Sequence, residues 1–318
     1  MFTKNKFAMI LFVIVLLGMM LGACGGKSEP ATLKVALLPV LDTLPIHVAA
    51  QEGFFEAQGV NVEIIPVASA PERDQIIAAG SADGMLNEIV STLFYNKDEV
   101  QVQIVRTARA ATRTAPLFRI LAAKDSGIAN VEDLKGVEIG ISDGTVIAYL
   151  TDRLLEAEGF TTDEIATISV PKIPDRLALL GSGDMQAAML PDPASSMALL
   201  GGATVVVDDT SHPEYGLSVF SFRKDIIDAN PEAIKAFLAA VEQAVEKINA
   251  NPAQYTALMG EQGLVPGPLL ETYQVNPFPT AGVPSQAQWD DAVAWATGKG
   301  LLDTDVAYGD SVTAEYLP

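Results

Sequence analysis

The sequence predicts an α/β fold of two doubly wound mixed sheets joined by two crossing strands. Three observations carry this. Short apolar runs rich in β-formers alternate with helical segments along most of the chain, the pattern of sheets with crossover helices. The stretch Leu33–Phe55, LKVALLPVLDTLPIHVAAQEGFF, is one complete copy of the repeating unit: a strand Leu33–Leu38 covered on both faces, a loop with Pro39, Asp42, Thr43 and Pro45, and a helix ending near Gly53. The chain also changes character twice, at the polar, basic stretch Thr107–Thr114 and again near Ser218, so it leaves a first unit and later returns to it. Open α/β sheets hold small ligands where a strand opens through a polar loop into a helix, which makes a binding crevice the first functional expectation.

After Leu33–Phe55 comes a strand Asn61–Val67. Ser69-Ala70-Pro71-Glu72 reads as an N-cap with proline in the first turn, opening a helix Pro71–Ala79 that stops at Gly80. Gly80–Gly84 turns into a brief strand Met85–Leu86, and Asn87 and Glu88 stand where it meets a helix running through Tyr95. Val100–Arg106 is the fourth strand, and Thr107–Thr114 connects it to a strand of different character, Leu117–Ala123. A short helix at Asn130–Gly136 delivers Val137–Ile141, then Ser142-Asp143-Gly144-Thr145 and an amphipathic helix Val146–Gly159. Thr167–Val170 is a strand, Ile173–Gly181 a helix bearing Arg176, and Met185–Leu190 a strand that ends in Pro191-Asp192-Pro193 and a further helix. Thr204–Val207 closes the second unit, and Leu217–Phe222 returns to the first. Asn230-Pro231 and Asn251-Pro252 read as caps of the C-terminal helices, the first covering Glu232–Ala250, and Pro284-Ser285 starts Gln286–Thr297.

At 318 residues, 49% of them hydrophobic, the chain can bury a large core and is expected to divide into two compact units. Met1–Ala23 stands apart. Lys4 and Lys6 precede the apolar run Phe7–Leu17, and small residues follow up to the single cysteine, Cys24, the charged, apolar and small-residue order of an export signal. The run is shorter than the roughly 20 residues a spanning helix needs. Leu21-Gly22-Ala23-Cys24 resembles the bacterial lipoprotein processing box, in which Cys24 becomes the lipid-carrying first residue; an uncleaved anchor helix is the alternative. Either way the body is expected at the cell membrane, facing the periplasm or the cell exterior. One cysteine allows no intramolecular disulfide and no thiolate metal cluster. Gly25–Thr32 reads as a flexible tether.

The signal segment holds two of the 20 basic residues and none of the 40 acidic ones, so the remainder carries a net charge near −22. Such a surface argues against nucleic acid and against anionic lipid as partners, and solubility is the plain account of it.

Several pieces resemble a known family. Gly80-Ser81-Ala82-Asp83-Gly84 before a strand, Val131-Glu132-Asp133-Leu134-Lys135-Gly136-Val137-Glu138-Ile139-Gly140, and Gly183-Asp184-Met185-Gln186-Ala187-Ala188 are similar to recurring pieces of the periplasmic solute-binding proteins of ABC importers. The closest branch includes the nitrate, sulfonate, taurine and thiamine-pyrimidine-precursor binders, and the ending Tyr308–Pro318 is similar to it as well. The resemblance implies a type II periplasmic-binding-protein fold, with lobe 1 formed by residues 33–114 plus 218–318 and lobe 2 by residues 115–217. It further implies closure on a small solute and delivery to membrane permease subunits, by a monomer that is no enzyme and needs no cofactor. The resemblance does not fix the solute; the acids Asp42, Glu88 and Asp192 on the expected site loops tilt it toward a nitrogen heterocycle or vitamin precursor, and the alternative is an alkyl sulfonate, taurine or other small anion. Rival classes are a biosynthetic enzyme of the same fold, which the absence of any nucleophile–base pair disfavours, and a ligand-sensing lipoprotein.

Carried over residue by residue, the site falls on four strand-to-helix loops: Asp42-Thr43, Asn87-Glu88, Ser142 with Gly144 and Thr145, and Asp192. Helix N-termini offer unpaired N–H groups there. Asp42 either accepts from a ligand N–H or caps its helix; Asn87 is read as the cap of the next helix or a ligand contact, and Glu88 as a first-turn acid or a ligand contact. Ser142, Gly144 and Thr145 form an anion or carbonyl cradle or an ordinary cap. Asp192, fixed between prolines, is a ligand contact or a turn residue. Arg106 and Arg109, with Arg113 and Arg73, are either anion contacts or partners for the chain's acids. Phe54, Phe55, Trp289 and Trp295 are expected in the core, and His47 and His212, far apart without a third ligand, predict no metal site.

Overall fold

The computed structural model describes residues 30–318. The expected export signal, Cys24 and most of the tether lie outside the described residues.

The first sheet has the order β2-β1-β3-β10-β4. β1 (Ala31–Leu37) is an interior strand, its Val35, Ala36 and Leu37 all buried, with parallel strands on either side: Val35 pairs with Ile64 of β2 (Val60–Pro66) and with Gly84 of β3 (Gly84–Asn87). β10 (Leu217–Arg223) enters antiparallel between β3 and β4 (Val102–Ala110). The second sheet has the order β7-β6-β8-β5-β9. β6 (Glu138–Ile141) lies parallel between β7 (Ala166–Ser169) and β8 (Ala187–Pro191), and β5 (Phe118–Ala122) runs antiparallel to both β8 and β9 (Thr204–Asp208). The two sheets therefore share one plan. Three parallel strands are followed by an antiparallel strand arriving from the other sheet, then an outer strand.

Helix Pro231–Ala250 covers the first sheet, its Phe237 and Val241 buried in a cluster with Leu33, Val35, Phe220 and Phe222. A second cluster joins the two sheets: Ile104 and Val219 of the first and Ile139 and Met189 of the second share it with Leu93, Leu150, Trp289 and Trp295. Phe55, Trp289 and Trp295 are core residues, with Phe54 packed at the margin. The two indole N–H groups find Val306 O at 2.9 Å and the Asp152 carboxylate at 2.7 Å, so both rings are buried with their polar handle satisfied.

The polar stretch expected as a connector is shorter than its composition suggests. β4 continues through Thr107 and Arg109 to Ala110, pairing Thr107 with Val219 and Arg109 with Ser218. Arg106, fully buried in this strand, is neutralised by Glu242 at 2.6 Å and capped by the Thr107 and Pro279 carbonyls. Neither Asn230 nor Asn251 makes a side-chain cap; Pro231 and Pro252, which offer no N–H in the first turn, reduce the need for one.

Candidate functional site

The loops after β1, β3, β6 and β8 converge on a cavity between the sheets, lined by Asp42, Asn87, Glu88, Ser142, Thr145 and Asp192 among others. Its volume is about 90 Å³ for the centre of a water-sized sphere, several times the roughly 10–15 Å³ that one water needs on that measure. Leu38, Val40, Leu117, Phe118, Ile147 and Ile173 supply much of the wall, so the space is apolar with polar groups at chosen points, the usual form of a small-molecule site.

Asp42 lies in a 3-10 turn, 9% exposed, and caps no helix; its Oδ2 accepts from Ser218 Oγ of β10 at 2.6 Å. Burial raises its pKa, against the opposing pull of Arg109 and the Ser218 hydrogen bond. At the end of β3 the helix cap falls one residue later than the Asn87 that the sequence offered for it. Glu88 is the N-cap of helix Ile89–Asn96, its carboxylate accepting from Ser91 N at 2.7 Å. Asn87 is still strand, so its side chain is held between Thr92 Oγ1 at 3.0 Å and Ser221 Oγ of β10 at 2.7 Å. Burial also raises the pKa of Glu88, opposed by Arg73.

In the second sheet, Thr145 caps helix Val146–Ala157 through Ile147 N at 3.2 Å and donates to Ser142 O at 2.8 Å. Gly144, φ +65°, supplies the left-handed residue this tight loop needs but does not line the cavity. Ser142 Oγ is buried and has no hydrogen-bond partner among the described residues. Asp192, after β8, accepts from Arg119 at 2.8 Å and Ser196 Oγ at 2.5 Å, and the Tyr273 hydroxyl donates to its other oxygen.

Of the remaining candidates, Thr43 is fully buried with its hydroxyl on Val40 O. Arg106 serves Glu242, and Arg109 lies over the Phe278 ring at 4.7 Å, so none of the three lines the cavity. The arginines that do line it are Arg73 and Arg176, together with Ser69 and Ser218. Arg73 meets Asp74 at 2.8 Å, Glu88 at 3.4 Å and Leu86 O at 3.2 Å. Burial works against its charge, but Asp74 and Glu88 hold its pKa above the ordinary value. Arg176 meets only carbonyls: Met189 at 3.2 Å, Val170 at 2.7 Å and Pro171 at 3.1 Å. Burial brings its pKa down to about 10. Arg73 is among the sequence candidates, and Arg176 is read there only as a helix residue; the signal that pairs the two is a repeated helix opening, Ala70-Pro71-Glu72-Arg73 and Ile173-Pro174-Asp175-Arg176.

Residues 41–255 match the family described as NMT1/THI5 like, well over half of the chain. The chain belongs to that family. Among curated relatives, this NMT1/THI5-like chain is 26% identical over 241 residues to the nitrate/nitrite binding protein NrtA of a Nostoc strain, covering 69% of this chain and 54% of that one. It is 30% identical over 171 residues to a putative aliphatic sulfonates-binding protein of Escherichia coli, 53% of each chain. The chain thus spans about half the length of these two relatives. Among solved structures, the alkanesulfonate-binding protein SsuA of Xanthomonas axonopodis, bound to MOPS, superposes with a TM-score of 0.76 at 19% identity, covering 90% of this chain and 99% of that one. That likeness establishes the fold, the two-sheet periplasmic-binding architecture.

Proposed function

We propose that this protein is the substrate-binding component of an ABC-type importer. It captures a small organic solute between lobe 1, residues 33–114 plus 218–318, and lobe 2, residues 115–217, and presents it to membrane permease subunits. The observation that carries this is the cavity whose polar groups come from both sheets, Asp42 and Asn87 from one and Ser142 and Asp192 from the other. A solute touching both favours the closed arrangement through contacts that no open arrangement can offer, which is how ligand binding shifts a two-state equilibrium. The family's binding proteins for nitrate and sulfonate support the same role. We also place the protein outside the cytoplasmic membrane, held by lipid on Cys24; a Cys24→Ser chain that still takes up labelled fatty acid would refute the anchor.

Two solute classes fit different residues. A nitrogen heterocycle or vitamin precursor suits Asp42, whose Oδ1 has no hydrogen-bond partner among the described residues. A small anion suits the arginine side of the cavity. The deciding experiment is a thermal-shift screen of the full chain against pyrimidines, thiamine, taurine, alkyl sulfonates and nitrate. A true solute at 100 times its dissociation constant should stabilise the fold by about 2.7 kcal/mol. No shift with any member, together with no transport defect on deleting the gene, sinks the importer role.

A further inference from the structure

The shared plan of the two sheets gives each element of one a counterpart in the other. Helix Ala70–Ala78, between β2 and β3, corresponds to helix Ile173–Ser182, between β7 and β8. Each carries its arginine as the fourth residue, after proline and an acid. Each arginine reaches a strand carbonyl 13 residues further on, Leu86 O and Met189 O, both at 3.2 Å. Both residues are 1% exposed and both line the cavity.

The counterparts differ in what surrounds the charge. Asp74 and Glu88 neutralise Arg73. In the second half the matching positions are Leu177 and Pro191, neither of which can. Arg176 therefore has no carboxylate partner among the described residues, and its Nη2 makes no hydrogen bond there. A buried guanidinium held only by carbonyl dipoles carries an unbalanced charge.

Ser142 lines the same cavity. β6 lies between β7 and β8, and Arg176 spans the ends of both neighbours, on Val170 O and Met189 O. Val170 N in turn binds Ile141 O at 2.8 Å, one residue before Ser142. The partnerless Ser142 hydroxyl and the unbalanced guanidinium thus face the same end of one cavity, next to the free N–H groups that open helix Val146–Ala157.

We propose that Arg176 and Ser142 anchor the acidic group of the solute, a carboxylate, sulfonate or phosphate carried on an apolar body, and that Arg176 is the residue that sets the charge preference. Arg73, its charge already balanced by Asp74 and Glu88, lets the first sheet's wall accept the apolar part. This rests on solute capture as proposed above. An anion supplies both what Arg176 lacks, a counter-charge, and what Ser142 lacks, an acceptor.

The test is calorimetric titration of the full chain with benzoate, benzenesulfonate and phenyl phosphate, against benzyl alcohol and benzylamine as uncharged and cationic counterparts. At least one acid should bind about tenfold or more tightly than either counterpart. Ser142→Ala should weaken that acid several-fold while leaving the Tm of the free chain unchanged, because the hydroxyl has no partner to lose. Arg176→Gln should erase the preference for acid over alcohol. Binding of the alcohol or amine as tight as that of every acid overturns the acid anchor and leaves solute capture standing; acid binding that survives both substitutions overturns the roles of these two residues. Silence from all five compounds overturns the acid class as stated, whereas the importer role falls only with the wider screen and the transport assay.

Discussion

The carboxylate of Asp209 accepts the backbone N–H of Leu117 at 3.0 Å, and its second oxygen accepts Phe118 N at 3.2 Å. Asp209 lies on the segment returning from β9 to β10, and Leu117 on the segment leading from β4 to β5. One side chain therefore ties together both connections between the sheets. Ala111 N on Gly216 O at 2.7 Å adds a second tie between the same two segments.

Asp209 should make stability fall as pH rises toward neutrality. Burial lifts its pKa from 3.8 to about 7, despite the two backbone N–H groups that favour its ionised form. Between these values the folded chain keeps a proton that the unfolded chain has released, so this contribution is full below pH 3.8 and is lost as pH rises through about 7. The loss should be on the order of a few kcal/mol, at about 1.4 kcal/mol per unit. Urea unfolding at pH 4.5, 6 and 7.5 should show the decline in wild type and a flatter profile in Asp209→Asn. Equal slopes in the two proteins would assign the titration elsewhere.

Gly216→Ala should disturb this tie directly. A Cβ there would lie 2.0 Å from Asp209 Oδ2 and 3.0 Å from Ala111 Cβ, so the carboxylate would have to leave its N–H partners. A destabilisation of about 1–3 kcal/mol is expected, as for other overpacked sites. The denaturation midpoint should fall with the urea dependence unchanged. An unaltered midpoint would mean that Asp209 moves aside freely.

The fold was legible because β1, β6 and β8 are short apolar runs opening into helices, and the same rule located Asp42, Ser142 and Asp192. The arginines were legible only as two alternatives, anion contacts or partners for the chain's acids, and Arg73 and Arg106 take the second. Buried arginine runs against composition rules, and the partners that hide Arg106 and Arg73, Glu242 and Glu88, are distant in sequence or belong to another element. Cap and strand end at Asn87-Glu88 differ by one residue, and what decides between them is Ser221 on β10, which no local pattern reveals.

Removing Arg73 should cost more than removing Asp74. Arg73→Ala leaves Glu88 buried with its cation gone, a change typically worth about 3–5 kcal/mol. Asp74→Ala leaves Arg73 still paired with Glu88 and should cost about 1 kcal/mol, mostly the lost hydrogen bonds. The double variant Arg73→Met/Glu88→Gln should recover part of the Arg73→Ala loss, since the buried charge of Glu88 is gone and Asp74, 35% exposed, is still reached by water. Urea midpoints of the three chains check the order, and equal losses would mean that the pair is as open to solvent as a surface salt bridge.

Tyr273→Phe should loosen the grip on solute without weakening the fold. Tyr273 packs against the apolar cluster of the first sheet, and its hydroxyl donates to Asp192 at the end of β8 in the second. Asp192 keeps Arg119 and Ser196 when that hydroxyl is lost, so no buried carboxylate is stranded and the stability change should stay within about 1 kcal/mol. What disappears is a hydrogen bond to a charged group that spans the two sheets, worth about 1.5–3 kcal/mol to any state that makes it. If the arrangement holding Tyr273 against Asp192 is the one that encloses solute, its dissociation should speed up by about tenfold or more, while association, which begins from the separated arrangement, changes little. Stopped-flow displacement of a bound solute measures the first and a thermal melt of the free chain the second. Unchanged dissociation would make the bond incidental to closure, and a Tm drop of many degrees would make Tyr273 a structural residue instead.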